Sequence, residues 1–319
     1  GYDDKDFNAR TSSILTSLNE LPPEAPAADE STLSDAQIEA VSARHTATLF
    51  GYACTQTPAF LPLPIWLAHK LARRLSAVRL TLQLPYLRPD AKAQVAVEFR
   101  DRRPVRIHSI TLLVSHAANG VPPAAQLEQA LRAQVIEPVF RDEPVRPDAD
   151  TRVYVNPEGP FEIGGPSVHA GLTGRKNAID TYGEYARHSG AALSGKDPSR
   201  IDRTGAYAAR HAAKNVAAAG LADECEVLLS YAIGQARPVS VQVETFGTGR
   251  VSDTEIGARL EAQFDFRPAA IVRAFNLRQL PALTKGGFYR RLAAYGHVGR
   301  MDIGLPWERT DKTMLLGSV

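Results

Sequence analysis

The chain has 319 residues, with 37 Lys+Arg against 35 Asp+Glu and a net charge of +2, which argues against a nucleic-acid-coating protein with its strongly basic face. Two cysteines, Cys54 and Cys225, cannot build a disulfide framework and predict a reducing, cytoplasmic setting. No apolar run approaches the roughly 18 residues of a membrane span, and at roughly 100–200 residues per domain the length predicts two or three domains.

In chain order, Gly1-Tyr2-Asp3-Asp4 is neither a signal peptide nor an initiator methionine, and reads as a processed or trimmed start. Residues 20–40, rich in Pro, Ala and acids, read as a loop or mobile connector. Pro64 suits the first turn of a helix with Ile65, Ala68, Leu71, Ala72, Leu75 and Val78 on one face. Residues 84–90 break that pattern. Val95, Val97 and Phe99 alternate in a strand over 94–99, Asp101 to Pro104 turns, and a β-branched strand runs over 105–115. After Pro122-Pro123, a helix carries Leu127, Ala130, Leu131 and Val135, and Glu137-Pro138 closes it. The pattern recurs: a strand over 225–231, a turn over 234–238, alternating Val239, Val241 and Val243, then a helix capped by Ser252 or Asp253 with Ile256, Leu260 and Phe264. Residues 265–268 end it. The repeat of strand, turn, strand and helix predicts an α+β protein of duplicated domains with helices on one face of each sheet. The short turns favour antiparallel pairing over βαβ crossovers.

Residues 159–203 have a different texture, with glycines too dense for helix or strand. They read either as plain turns or as backbone that approaches a ligand closely. Residues 190–196 match the first seven positions of a P-loop, but Asp197 stands where Ser or Thr should reach Mg²⁺, and no apolar strand precedes Gly190. A P-loop NTPase is therefore rejected. Arg175, Lys176 and Lys196 on these turns can gather a polyphosphate, and Asp180, Asp197 and Asp202 can supply hard oxygens for Mg²⁺.

Several runs carry a specific resemblance: Gly171-Leu172-Thr173-Gly174-Arg175-Lys176, Asp180-Thr181-Tyr182-Gly183, Ser194-Gly195-Lys196-Asp197-Pro198-Ser199, Asp202-Arg203, Ala206-Tyr207-Ala208-Ala209-Arg210 and Ser230-Tyr231-Ala232-Ile233-Gly234. Phe50-Gly51-Tyr52-Ala53, Leu87-Arg88-Pro89-Asp90-Ala91-Lys92, Ala294-Tyr295-Gly296-His297 and Pro306-Trp307-Glu308 extend it over essentially the whole chain. In this order they resemble S-adenosylmethionine synthetase (methionine adenosyltransferase). The resemblance implies three similar interleaved α+β domains with pseudo-threefold symmetry and mixed or antiparallel sheets covered by helices. One domain would be incomplete, because the family's N-terminal His-Pro-Asp-Lys segment has no counterpart here. The implied pieces are 1–30 with 165–203 as the central domain, 56–164 as the first, and 31–55 with 204–319 as the C-terminal one.

The resemblance also implies a reaction. Methionine sulfur attacks the ribose 5′ carbon of ATP, the triphosphate leaves and is then hydrolysed, and Mg²⁺ and K⁺ assist. A homodimer or tetramer is implied, with sites at the subunit interface. By position, Lys92, Arg175, Lys176 and Lys196 fall at phosphate contacts, Asp90 at a nucleotide position, Asp202 at a metal-associated aspartate, and Phe161 and Ile233 where adenine packs. Fixed cations suit a leaving triphosphate because they stabilise its developing charge.

The departures fall on the acidic half. His45 and His169 stand where the family has aspartates, and Pro160 replaces an arginine. Neutral imidazole is a poor ligand for Mg²⁺ and suits Zn²⁺ and softer ions. The expectation is a synthetase-like protein with altered or reduced activity. The alternative is a non-catalytic paralogous subunit that binds nucleotide or triphosphate and pairs with a complete synthetase.

Overall fold

The computed structural model describes residues 2, 7–18, 30–168 and 173–317. Its elements in chain order are α1 (Asp35–Glu39), β1 (Ala47–Cys54), α2 (Leu63–Leu80), β2 (Leu87–Arg100), β3 (Arg103–His116), α3 (Ala124–Leu131), α4 (Glu137–Phe140), β4 (Arg152–Val155), α5 (Asn177–Asp180), α6 (Ile201–Ala218), β5 (Glu224–Tyr231), β6 (Ser240–Glu244), α7 (Asp253–Gln263) and α8 (Pro268–Phe275). The chain is α+β, with small antiparallel and mixed sheets and helices packed on them. It divides into two compact units, residues 1–19 with 63–172 and residues 20–62 with 173–319.

In the first unit the sheet order is β2-β3-β4. Two residues, Asp101 and Arg102, join β2 to β3, and both have positive φ, 50° and 62°. That geometry matches the right-handed twist of the flanking strands, although neither residue is the glycine usually found there. Leu67, Leu71, Leu75 and Val78 of α2 pack with Val95, Ile107, Ile110, Leu112 and Val114 of the sheet. Burying each such side chain contributes about 1.5–3 kcal/mol.

Three local expectations are corrected here. Pro89 lies within β2 rather than in a break, because β2 is an edge strand whose register shifts between Leu87 and Ala91. Pro138 does not end the helical run. A π-helical turn over Arg132–Ile136 leads into α4, and Pro138 falls in the first turn of α4, where its missing N–H costs little. Finally, β4 pairs with β3 in parallel, so one helical crossover sits beside the antiparallel hairpin.

In the second unit β1 pairs with β5, from Ala47 opposite Tyr231 to Cys54 opposite Glu224, and β6 adds on the far side of β5. The connector was expected to be loop. Residues 19–29 lie outside the described set, but Ser34 caps α1 through a capping box with Gln37. Helix α6 lies on β1 and β5 and is buried on nearly every side. A Cβ on Gly51 of β1 would run into the Ala209–Arg210 peptide of α6, so only glycine permits this approach. Arg210, fully buried, uses all five of its N–H donors. It donates to both oxygens of Glu308 at 2.9 Å and to the carbonyls of Tyr52, Ala59 and Phe60 at 2.6 to 2.9 Å. Lys214 adds a second cation on Glu308 at 2.8 Å. A buried charge persists in a core only when paired and hydrogen-bonded in this way.

Candidate functional site

The second unit holds the glycine-rich turns from Thr173 onward. After Thr173, the backbone turns into the single-turn helix α5, passes through further turns, and reaches α6 at Ile201. Asn177 braces the middle of this stretch by donating to the carbonyls of Ser189 and Ala191 at 2.9 and 2.8 Å. No strand occurs among the described residues of 159–203, so the rejection of a P-loop stands.

Two buried carboxylates organise the turns. Asp180, 3% exposed, accepts the Gly174 N–H at 3.0 Å and the Thr173 hydroxyl at 3.3 Å. Burial raises its pKa, and those two donors only partly offset the rise. Asp202, 7% exposed, sits in the first turn of α6. Its Oδ2 accepts from Lys196 Nζ at 2.7 Å and contacts His45 Nε2 at 2.9 Å. An ionised carboxylate only accepts, so Nε2 carries a proton in this contact. His45 Nδ1 is buried and has no hydrogen-bond partner.

The two cation-bearing turns also touch. The Thr173 and Ser194 hydroxyls are 2.8 Å apart, which links the turn of Arg175 and Lys176 to the turn of Lys196. Arg175 and Lys176 are exposed, while Lys196 is half-buried. Asp197 caps the approach to α6 by accepting the Ser199 N–H at 2.7 Å. Ile233 is 65% exposed, just beyond β5. His169 lies outside the described residues.

The remaining candidates are on the first unit. Lys92 is exposed on β2. Both oxygens of Asp90 are engaged, one by the Tyr2 hydroxyl and the other by the Gly165 N–H. Phe161, half-buried, exchanges main-chain contacts with His116: its carbonyl accepts the His116 N–H at 2.9 Å and its N–H donates to His116 Nε2 at 3.3 Å. Thus the cluster that the second unit assembles is His45, Lys196 and Asp202, with Arg175 and Lys176 on the adjoining turn.

Thr173 and Ser194, which lie within the motif runs, were missed as the link between the two turns. Their hydroxyls, one beside each cation-bearing turn, were the available signal.

Residues 40–161 match the family model for the S-adenosylmethionine synthetase central domain, and residues 163–309 match that for its C-terminal domain. Identity is 48% to the S-adenosylmethionine synthase of Trichormus variabilis, over 99% of this chain and 79% of that protein. It is 49% to the S-adenosylmethionine synthase of Thermosynechococcus vestitus, over 98% of this chain and 78% of the other. For the S-adenosylmethionine synthase of Gloeobacter violaceus it is 49%, over 99% and 80%. The chain belongs to the S-adenosylmethionine synthetase family. Within a synthetase fold, the motif pair Ala206–Arg210 and Pro306–Glu308 is one structural device, the buried Arg210–Glu308 pair, rather than two separate sites. Among the described residues of this synthetase-family chain, no helix is long and apolar enough to cross a membrane.

Proposed function

We propose that this chain binds ATP together with methionine or an analogue, and forms S-adenosylmethionine at an altered or reduced rate. The observation that carries this reading is the double occupation of Asp202 Oδ2 by Lys196 and His45. The cationic half of the site is present, with Arg175, Lys176 and Lys196 on linked turns. The acidic half is neutralised from within.

In the reaction, a sulfur lone pair forms the S–C5′ bond while the C5′–O bond breaks, and the triphosphate departs with that electron pair. Water then cleaves the triphosphate. The chain's share is to hold the triphosphate in place and stabilise the charge that develops on it, which preorganised cations do best in a site of low dielectric. Lys196 is the best placed of the three, since half-burial strengthens its field. Lys92 joins the phosphate set, and Asp90, Phe161 and Ile233 the nucleotide set, through the family resemblance alone.

Mg²⁺ and K⁺ are expected companions of the family reaction. The donor set of the second unit, as arranged, does not fit a hard divalent cation held by protein oxygens. One oxygen of Asp202 already faces an ammonium and an imidazole N–H, and no group of three or more His, Cys, Asp or Glu side chains gathers among the described residues. The exchange of an aspartate for His45 is the physical cause.

Incubation of the purified protein with ATP, methionine, Mg²⁺ and K⁺ tests the proposal. S-adenosylmethionine above a heat-killed control supports it, and no product above that control, with or without a complete synthetase present, refutes catalysis. The His45–Asp202 contact also favours a second reading, a non-catalytic subunit that pairs with a complete synthetase rather than forming a homodimer or tetramer. Co-expression with such a synthetase followed by size-exclusion chromatography decides it: a mixed oligomer supports this reading, and separate homo-oligomers refute it.

A further inference from the structure

His297 is fully buried, yet each of its four polar atoms is engaged within the second unit. Its N–H donates to the Asp180 carbonyl at 2.7 Å, and its carbonyl accepts from the Trp307 indole at 2.8 Å. Ring Nε2 lies 3.0 Å from Ser194 Oγ, and ring Nδ1 lies 2.8 Å from the Tyr207 hydroxyl. Ser194 in turn meets Thr173, and Thr173 meets Asp180.

The directions of these bonds follow from one end. An ionised Asp180 only accepts, so Thr173 spends its single hydroxyl proton there. Thr173 Oγ1 must then accept from Ser194, whose own proton is thereby used. Ser194 Oγ accepts from His297 Nε2–H, and a neutral ring leaves Nδ1 to accept from the Tyr207 hydroxyl. Every donor in the series has an acceptor and no proton is counted twice. Burial, with the Arg203 and Arg300 guanidiniums nearby, holds the His297 pKa down to about 3, which keeps the ring neutral.

We propose that Tyr207, His297, Ser194, Thr173 and Asp180 form one directional hydrogen-bond series in which His297 is a positioning residue, setting the two cation-bearing turns for an anionic triphosphate. The triphosphate part rests on the phosphate reading above. The positioning part stands on geometry. Ser194 is two residues from Lys196, and Thr173 is two from Arg175. The series therefore ties both turns to Tyr207, which is stacked on Trp307 in the core with ring centroids 3.6 Å apart. Arg203 secures the same loop one residue earlier, by donating to the Leu193 carbonyl at 2.8 Å. Hydrogen bonds in such a series polarise one another, so losing one weakens its neighbours.

The test uses the full chain with Ser194→Ala, His297→Phe and the double variant. Three readouts apply: the ring tautomer of His297 by nitrogen-labelled NMR, exchange protection of the Gly174 amide, and affinity for inorganic triphosphate with Mg²⁺. The series requires the proton on Nε2. It predicts that Ser194→Ala, a change in the other turn, lowers Gly174 protection about tenfold and weakens triphosphate binding about five- to tenfold. The double variant should be no worse than His297→Phe alone, because both cut one series. If His297→Phe does not fold, Ser194→Ala on its half-buried loop carries the test. A proton on Nδ1, unchanged Gly174 protection, or fully independent effects would overturn the positioning role. If the wild type does not bind triphosphate while Gly174 protection falls as expected, the positioning role stands and the phosphate reading fails.

Discussion

Two aspartates in the second unit are buried almost equally, Asp180 at 3% and Asp202 at 7% exposure, yet they keep opposite company. Asp180 is surrounded by neutral donors, the Thr173 hydroxyl and the Gly174 N–H, and holds a turn closed. Asp202 faces an ammonium and an imidazole N–H, and its charge is cancelled on the spot. The contrast shows that residue type and burial do not by themselves assign a role. A carboxylate satisfied by backbone and hydroxyl groups is a structural tie. One satisfied by a side-chain ammonium and an imidazole N–H holds contacts that a ligand must displace or share.

The contrast predicts different costs on removal. Asp180→Ala should lower stability by about 2–3 kcal/mol, because it leaves the Thr173 hydroxyl and the Gly174 N–H without their shared acceptor. Asp202→Asn should cost about 1 kcal/mol or less, since Lys196 and His45 are only partly buried and can turn to water. Chemical denaturation of both variants measures the difference, and equal losses would erase the distinction.

His297 offers a sharper variant of the same comparison through pH. The unfolded chain takes up a proton on this ring near the ordinary 6.5, whereas the native ring does not until about 3. The unfolded state therefore binds more protons between those values, and the native state loses stability as pH falls from 6.5 towards 3. Relative to His297→Phe, the wild type should lose about 2 kcal/mol more on going from pH 7 to pH 5. Parallel pH profiles for the two proteins would mean that the ring protonates in place. Smaller still, Lys196→Ala should weaken binding of inorganic triphosphate about tenfold, the worth of one charge-assisted contact, and calorimetry reads it directly. No loss would remove Lys196 from the phosphate set.

How much of this was legible in the sequence depends on the range over which each element is specified. Helix α2 was readable because its apolar residues recur every three or four positions and Pro64 marks its start. Strands β3 and β5 were readable from their apolar, β-branched runs. Helix α6 escaped because its polar stripe is itself buried: Arg210 and Lys214, which read as solvent-facing charges, share the Glu308 carboxylate almost a hundred residues on. Strand β1 escaped for a related reason, since its partner β5 lies far along the chain.

The candidate site divides in the same way. Lys196 and Asp202 stand six residues apart and came forward with the motif that holds them. The contact of His45 with Asp202 spans 157 residues and is a property of the folded unit. That His45 stands in place of an expected aspartate was visible, but its consequence, an imidazole seated on the carboxylate that the resemblance assigns to metal, was not. Nor could spacing reveal that His297, quoted inside a motif, reaches Ser194 across 103 residues.

The most direct test of the central claim, that His45 and Lys196 occupy the Asp202 carboxylate on the acidic half of this site, is calorimetric titration of wild type and His45→Asp with ATP in the presence and absence of Mg²⁺. The variant frees Asp202 from the imidazole and adds a second hard oxygen donor beside it. The account predicts that Mg²⁺-dependent ATP affinity rises about tenfold in His45→Asp, while affinity without Mg²⁺ does not rise. Unchanged Mg²⁺-dependent affinity would contradict it, because His45 would then have no influence on the charge that the site presents.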